Sequence, residues 1–274
     1  SLDRIQICKM VEKAITFEKQ KPSNVIVHYD NQDVNTYLLN SSLFDKYLLE
    51  NASTIFYIDP YDLGTVIIEN VANLSRRYYC EIIFNVFTSD LVRNKEDDRL
   101  KRCLGIDDIT DKTDLLDYIA VKLKVGKINY SFAFEFRNSK NTKLYRIVFA
   151  TPHEKGLEKV KDAIWETFEG REFFRTQVPK DGQLSLFDRD MEEESQLDYH
   201  ACASKRRLTK EFCGKVVDYS EIEIFLLEKT MLKASDLLTT VIKPLISNGI
   251  ILKQGKVSKS NFKQDSYRFI KEYE

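Results

Sequence analysis

Apolar positions in the first part of the chain follow two alternating periods. Stretches with an apolar residue every three or four positions predict helices, and short continuous apolar runs predict strands. The helical stretches are residues 2–19, 37–49 and 63–74, and the strand-like runs are residues 25–29, 55–58 and 80–87. Because strand and helix alternate, we expect parallel βαβ units here.

The pattern changes further along the chain. Helices are predicted at 97–104 and 112–123, strands at 130–136 and 144–150, and a helix at 156–168. The two strands flank a polar turn, which predicts an antiparallel hairpin. The predicted fold class is therefore α/β, with a Rossmann-like, mostly parallel sheet that ends in an antiparallel hairpin.

The C-terminal part predicts a second, smaller unit. Its helical stretches are residues 220–229 and 234–246, and its strand-like runs are residues 250–253 and 266–270, on either side of a basic loop. Helices followed by two strands and such a loop are typical of a winged helix. Within the last helical stretch, we expect Pro244 to produce a kink and Gly249 to supply a left-handed C-cap.

These patterns predict an α/β domain at 1–178, a linker at 179–203 and a winged-helix domain at 204–274. The chain has 274 residues and a formal net charge of −1, but residues 201–274 carry 14 Lys or Arg against 9 Asp or Glu. A basic tail favours a polyanionic partner, although a solvated basic surface gives the same count. Neither a membrane-spanning run nor a secretory signal is evident, so we expect a cytoplasmic protein without a membrane partner.

The strongest candidate for chemistry follows the strand-like run that begins at Thr54. This run ends abruptly in Asp59, Pro60, Tyr61 and Asp62, which we take as the candidate catalytic residues. In an open α/β sheet, ligands collect where such strands end. A carboxylate accepts hydrogen bonds from the exocyclic amine of a base, a proline fixes the turn and an aromatic ring stacks on the base. The alternative is a structural Asp-Pro turn that caps the next helix.

Two segments carry a resemblance to a known family. Residues 56–64, which contain the Asp59 turn, and residues 145–165 resemble the three-Cys-motif partner protein family, TcmP. The resemblance implies a bacterial protein with a methyltransferase-like domain, a C-terminal winged helix and a radical-SAM-like three-Cys protein as partner. It also implies that Asp30 and Asp33 lie where related methyltransferases hold the adenine of S-adenosylmethionine.

One feature departs from that family. No glycine precedes Gly64, whereas the turn that receives the methionine end of the cofactor generally requires glycine for close backbone approach. The residues for that turn are expected upstream of Leu2. We therefore expect a catalytically degenerate chain that binds S-adenosylmethionine only if other residues complete the site.

The predicted linker contains a possible docking peptide. Gln183, Leu184, Leu186 and Phe187 belong to Gln-Leu-Ser-Leu-Phe, which resembles the pentapeptide that binds the DNA-polymerase sliding clamp. In an extended peptide, two apolar side chains enter a groove and the glutamine amide fixes the register. The alternative is that these apolar residues pack back on the body of the protein as an edge strand.

The winged helix supplies the candidate nucleic-acid contacts. On the last helix these are Lys233, Ser235, Thr239, Thr240 and Lys243, and on the wing they are Lys256, Lys259 and Lys263. Winged helices also dock proteins, so this interpretation has an alternative. No metal site is predicted, because the histidines are far apart and no cysteine pair has metal-ligand spacing. His153 either lines the Asp59 cleft, caps a helix or is exposed to solvent.

Three hypotheses follow from the sequence. The first is a degenerate methyltransferase-fold protein that binds DNA through its winged helix. The second is an S-adenosylmethionine-dependent nucleic-acid amino-methyltransferase. The third is an adaptor that recruits a radical-SAM-like partner to DNA or to the sliding clamp.

Overall fold

The computed structural model describes residues 19, 23, 32–40, 53–60, 62–87, 97–107, 109, 114–137, 143–168, 186–254 and 265–273. The first helices are α1 Val34–Leu39, α2 Ile68–Arg77, α3 Asp98–Leu104, α4 Leu115–Leu123, α5 Glu154–Phe168, α6 Leu186–Phe212 and α7 Tyr219–Lys229. Residues 234–247 form helix α8. The strands are β1 Thr54–Ile58, β2 Cys80–Phe87, β3 Tyr130–Arg137, β4 Lys143–Thr151, β5 Val216–Asp218, β6 Ile251–Gln254 and β7 Ser266–Phe269. The chain is therefore mixed α/β, as predicted. The predicted helix at 2–19 and strand at 25–29 lie essentially outside the described residues.

The larger sheet is mixed and has the order β1-β2-β4-β3. Strands β1 and β2 are parallel, and the connection between them contains α2. Strand β4 is antiparallel to both of its neighbours, β2 and β3. The hairpin predicted from the polar turn is thus confirmed, whereas a mostly parallel arrangement is not what the described strands show: one of their three pairings is parallel.

One face of this sheet is covered by α2 and α4. Strand β2 alternates in burial, and its inward residues Ile82, Phe84 and Val86 are essentially inaccessible to solvent. They belong to the same core cluster as Val71 of α2 and Ile119 of α4. Because side chains point alternately to opposite faces of a strand, this pattern fixes which face of β2 is turned toward the helices.

The opposite face of the sheet shares its core with the C-terminal part of the chain. Phe132 of β3 and Phe149 of β4 are paired across the hairpin and buried on this face. They form one cluster with Leu157 of α5, Leu226 of α7 and Val241 of α8. The C-terminal unit is therefore packed against the sheet through α5 rather than held apart from it.

The C-terminal unit has the element order α6, β5, α7, α8, β6, β7 and a second sheet of order β5-β7-β6. The predicted strand pair at its end is confirmed as antiparallel β6 and β7, while the loop 255–264 between them lies outside the described residues. Strand β5 was not predicted from the sequence. It has three residues, of which only Val217 is buried, and so short a strand shows no detectable apolar pattern. The predicted linker is helical from Leu186 onward, since α6 runs without interruption into the C-terminal unit.

Helix α8 widens before its proline. Ala234–Asp236 and Lys243–Ser247 are α-helical, and Leu237–Ile242 between them is π-helical. A proline within an α-helix clashes with the carbonyl four residues earlier and has no N–H to donate. The π-helical turn ahead of Pro244 accommodates this, as π-bulges do elsewhere. The helix ends as predicted: Gly249 has φ of 63° and donates its N–H to the Ile246 carbonyl.

A buried lysine joins the two parts of the molecule. Lys161 of α5 is fully buried, and its Nζ donates to the carbonyls of Thr230 (2.8 Å), Leu232 (2.9 Å) and Leu226 (3.4 Å). These carbonyls lie in and just after the last turn of α7, where a helix carries partial negative charge. Trp165, one turn further along α5, donates its Nε1–H to the backbone carbonyl of Met231 (2.7 Å). Helix α5 therefore holds the end of α7 by direct hydrogen bonds.

A second contact secures the same helix against the sheet edge. Glu228 of α7 accepts a hydrogen bond from the backbone N–H of Ser131 (2.9 Å) on β3 and is ion-paired with Lys124 (2.7 Å). Among the described strands, β3 lies at one edge of the sheet, so this carboxylate satisfies a backbone donor that no described strand pairs with. Lys229 is also ion-paired, with Asp117 of α4.

We expect Lys161→Met to lower the free energy of unfolding by about 1–3 kcal/mol, because buried carbonyls at the end of α7 lose their donor. Urea denaturation measures this. Lys159→Met is the matched control, since that side chain is 84% exposed on the same helix. Equal stability of the two variants would contradict the anchoring role of Lys161.

The pH dependence of this difference tests the burial of the amine. Burial lowers the pKa of Lys161 well below its ordinary value of 10.5, and the nearby Glu228 carboxylate offsets this only in part. The unfolded chain therefore binds this proton more tightly, so the stability that Lys161 contributes increases as pH rises from its lowered pKa toward 10.5. The wild type should gain stability relative to Lys161→Met over that range; a flat difference would argue against the lowered pKa of Lys161.

Candidate functional site

The Asp59 site lies where the two parallel strands of the sheet run side by side. Ile58 of β1 is paired with Phe84 of β2, which places Asp59 next to Asn85. The Nδ2 of Asn85 donates to Oδ1 of Asp59 at 2.8 Å. Asn85 is buried and Asp59 is exposed, so a fixed amide orients a carboxylate that solvent reaches. The sheet thus delivers Asp59 to an open edge, as the sequence predicts.

A cleft of about 390 Å³ opens beside this carboxylate. It is lined by α1, by β1 and by the segment that follows β1: Val34, Tyr37, Leu38, Phe56, Tyr57, Ile58, Asp59, Pro60, Thr65 and Val66. The volume is within the range of small-molecule sites, and aromatic side chains line part of the wall. Asp59 is the acidic residue among these lining side chains. The cleft therefore combines apolar contact surface with one oriented acceptor.

The short helix α1 is held over the cleft by Asn35. Its Nδ2 donates to the carbonyl of Thr65 (2.8 Å), and its Oδ1 accepts from the backbone N–H of Ile67 (2.9 Å). Both partners belong to the segment after β1, so one side chain fixes the distance between the two walls of the cleft. Asn35 appears in the sequence as part of an unremarkable polar stretch, and this long-range role carries no local signal.

Asp33 has a structural hydrogen bond in addition to any role in binding. It is the N-cap of α1, and its Oδ1 accepts from the backbone N–H (3.0 Å) and the hydroxyl (3.2 Å) of Thr36. Capping of this kind stabilises the first turn of a helix. Asp33 precedes the cleft-lining residue Val34 but does not itself line the cleft. Asp30 lies outside the described residues.

Asp62 is placed differently from Asp59. Its Oδ1 accepts from the backbone N–H of Gly64 (2.8 Å), and its Oδ2 is ion-paired with Arg99 of α3 (2.5 Å). It does not line the Asp59 cleft. The structure therefore gives Asp62 the structural capping role that was the alternative interpretation, and Tyr61 between the two lies outside the described residues. Pro60 is buried and lines the cleft.

The nucleic-acid candidates on α8 fall into two groups. Ser235, Thr239 and Lys243 are exposed, whereas Lys233 and Thr240 are half-buried. The hydroxyls of Thr239 and Thr240 donate to the carbonyl of Asp236 at 3.2 and 2.8 Å. The Nζ of Lys233 lies 5.7 Å from the ring centroid of Trp165, a cation–π contact. On α8 itself, Lys243 is therefore the exposed cation, while the wing residues Lys256, Lys259 and Lys263 lie outside the described residues.

The described part of the predicted clamp-binding peptide is helical rather than extended. Leu186 and Phe187 are the first residues of α6, so the extended conformation expected for them is wrong. A sequence of apolar and acidic residues is compatible with a helix as well as with a linker, and helix propensity of the following Met-Glu-Glu-Glu run favours the helix. Gln183 and Leu184 lie outside the described residues, and clamp binding stays a prediction.

His153 and Asp59 lie at opposite ends of the strands of the sheet. Strand β4 runs antiparallel to β2, so its end at Thr151 lies near the beginning of β2 rather than its carboxyl end. The Nδ1 of His153 accepts from the backbone N–H of Lys155 at 3.1 Å, in the first turn of α5. His153 does not line the Asp59 cleft; it is exposed to solvent and its ring caps α5.

Two partners of the candidate residues Asp59 and Asp62 were missed by the sequence analysis. Asn85 interrupts the apolar run of β2, and a polar residue at that point of a buried strand is a detectable signal. Arg99, the partner of Asp62, carries no such signal because it is one charged residue among many. Within the described ranges, no group of three or more His, Cys, Asp or Glu side chains is arranged to hold a metal ion.

No helix in the described part of the chain is both long enough and apolar enough to cross a membrane. Comparison with protein-family models, curated proteins and solved structures gives no match. The resemblance to the three-Cys-motif partner family therefore stays a prediction from the sequence.

We expect Asp62→Ala to lower the free energy of unfolding by about 1–2 kcal/mol, because it removes a cap and an ion pair at once. Asp98→Ala, an exposed change in the first turn of α3, is the control. Chemical denaturation distinguishes them. Unchanged stability of Asp62→Ala would show that the turn after β1 does not depend on this carboxylate.

Proposed function

We propose that the protein binds nucleic acid through its C-terminal unit, with the exposed side of α8 as the contact surface. The single observation that supports this most is the arrangement of the unit. Two helices, α7 and α8, precede an antiparallel strand pair, and the last helix presents Ser235, Thr239 and Lys243 to solvent. In helix-turn-helix proteins of the winged type, the corresponding helix enters the major groove.

The charge of the unit supports the same proposal. Residues 201–274 carry 14 Lys or Arg against 9 Asp or Glu, whereas residues 1–200 carry 28 against 34. Binding to phosphates by lysine and arginine releases counterions and supplies most of the sequence-independent affinity. The hydrogen atoms of the Thr239 and Thr240 hydroxyls are used within α8, which leaves their oxygens as acceptors. Lys243 is accordingly the residue from which we expect a phosphate contact.

We expect Lys243→Gln to weaken binding of duplex DNA and to reduce the slope of log affinity against log salt by about one unit, since one phosphate contact is lost. Fluorescence anisotropy at several salt concentrations measures both quantities. Lys159→Gln, on an exposed position of α5, is the control and should leave both unchanged. Affinity of the wild type that does not fall with added salt would reject the proposal.

The Asp59 cleft favours a second function, that of an S-adenosylmethionine-dependent nucleic-acid amino-methyltransferase. The specific observation is the Asn85-oriented carboxylate at the mouth of a cleft with aromatic walls. Such a site accepts a hydrogen bond from an exocyclic amine while a planar ring contacts Tyr37, Phe56 or Tyr57. The parallel strand pair followed by an antiparallel hairpin is compatible with the methyltransferase-like sheet that the sequence resemblance implies.

If the cleft accepts an amine, Asp59→Ala should abolish methyl transfer from S-adenosylmethionine to DNA, because the oriented acceptor is lost. The assay follows transfer of a labelled methyl group. Glu69→Ala, an exposed change on α2, serves as the control. Absence of transfer by the wild type, together with intact DNA binding, would leave the first function and remove the second.

A further inference from the structure

A second cleft, which we call the inter-unit cleft, lies between the sheet edge and the C-terminal unit. Its volume is about 330 Å³. Its walls come from the edge strand β3, from β4, from the start of α4, from α6 and from the end of α7. It contains neither the exposed residues of α8 nor Asp59, so it is distinct from both surfaces described above.

The charged residues that line the inter-unit cleft are mainly cations. They are Arg146 of β4, Arg207 of α6 and Lys229 at the end of α7, against the one carboxylate of Asp114. That carboxylate caps α4, where its Oδ1 accepts from two backbone N–H groups, those of Leu116 and Asp117. Lys229 is balanced by its ion pair with Asp117. Among the cations that line the cleft, Arg207 is the exposed one.

Arg207 is placed to bind an oxyanion. It is exposed, and its Nη1 donates to the backbone carbonyl of Lys229, which fixes the direction of the side chain. A guanidinium carries further N–H donors in one plane, in the geometry that matches two oxygens of a phosphate. A side chain already held in place loses less conformational entropy when it binds a ligand.

Ser204 provides an independent observation. It lies three residues before Arg207 on α6, lines the cleft and is fully buried. Its Oγ has no hydrogen-bond partner among the described residues. A buried hydroxyl without a partner carries a cost in free energy that a ligand oxygen would remove. Neighbouring buried rings of Phe132 and His200 give the cleft an apolar wall against which an organic group can pack.

From this geometry we propose that the inter-unit cleft binds the phosphate group of a small phosphate monoester. Arg207 would bind two of its oxygens, and Ser204 would donate to a third. The phosphate group belongs either to a free metabolite or to the 5′ end of a nucleic acid strand. The volume fits a compact ligand, near the lower limit of known small-molecule sites.

The test uses the full chain and isothermal titration calorimetry with inorganic phosphate and with adenosine 5′-monophosphate, at constant ionic strength in chloride. Both should bind and adenosine should not, because the phosphate is the recognised group. Arg207→Gln should weaken binding about tenfold. Arg206→Gln, the adjacent exposed arginine that does not line the cleft, should have no effect.

Arg207→Gln also removes the hydrogen bond from Arg207 to the Lys229 carbonyl, which can disturb folding. Ser204→Ala is therefore a second, independent test of phosphate binding. This change removes an unpartnered hydroxyl, so thermal stability without ligand should not fall, while affinity for phosphate should fall about threefold. A 5′-phosphorylated oligonucleotide that competes with inorganic phosphate identifies a nucleic acid end as the source; failure to compete identifies a free metabolite. No binding of either phosphate at about 10 mM, or equal losses in the two arginine variants, would overturn the proposal.

Discussion

The structure depends on the contact between Lys161 and the end of helix α7. A lysine ammonium is costly to bury, and here its cost is offset by hydrogen bonds to three backbone carbonyls. The partial negative charge of a helix C-terminus adds to this attraction. Because Lys161 is on a helix of the sheet domain and its acceptors are in the C-terminal unit, the orientation of one unit relative to the other is specified by directional bonds as well as by apolar packing.

This coupling brings three surfaces into fixed relation. The Asp59 cleft is on the β1 side of the sheet, and the inter-unit cleft is beside β3 on the other side. Helix α8 packs in the core cluster that contains Phe132 and Leu226. The inter-unit cleft and α8 share this cluster, whereas the Asp59 cleft borders the other core cluster, which contains Val71 and Ile119. A ligand that shifts α7 in the inter-unit cleft therefore acts on contacts that also position α8.

The parts of the fold that could be predicted are those with a local signal. The apolar runs that become β1 and β2 and the turn between β3 and β4 show directly in the sequence, as does Gly249 at the end of α8. The order of the strands could not be predicted, since β4 inserts between β2 and β3 through contacts distant in sequence. Asp59 was found from its turn, whereas Asn35 and Arg99 act over thirty residues or more. Lys161 had a signal: it lies on the helical face of Leu157 and Trp165.

The hydrogen bond from Ser131 to Glu228 has a consequence for assembly. An outer strand with open amide groups is a template on which another chain can add a strand. At β3 the carboxylate occupies such a group, and α7 stands where an added strand would have to lie. An added strand would therefore have to displace this contact at Ser131, which makes edge-to-edge aggregation along β3 less favourable.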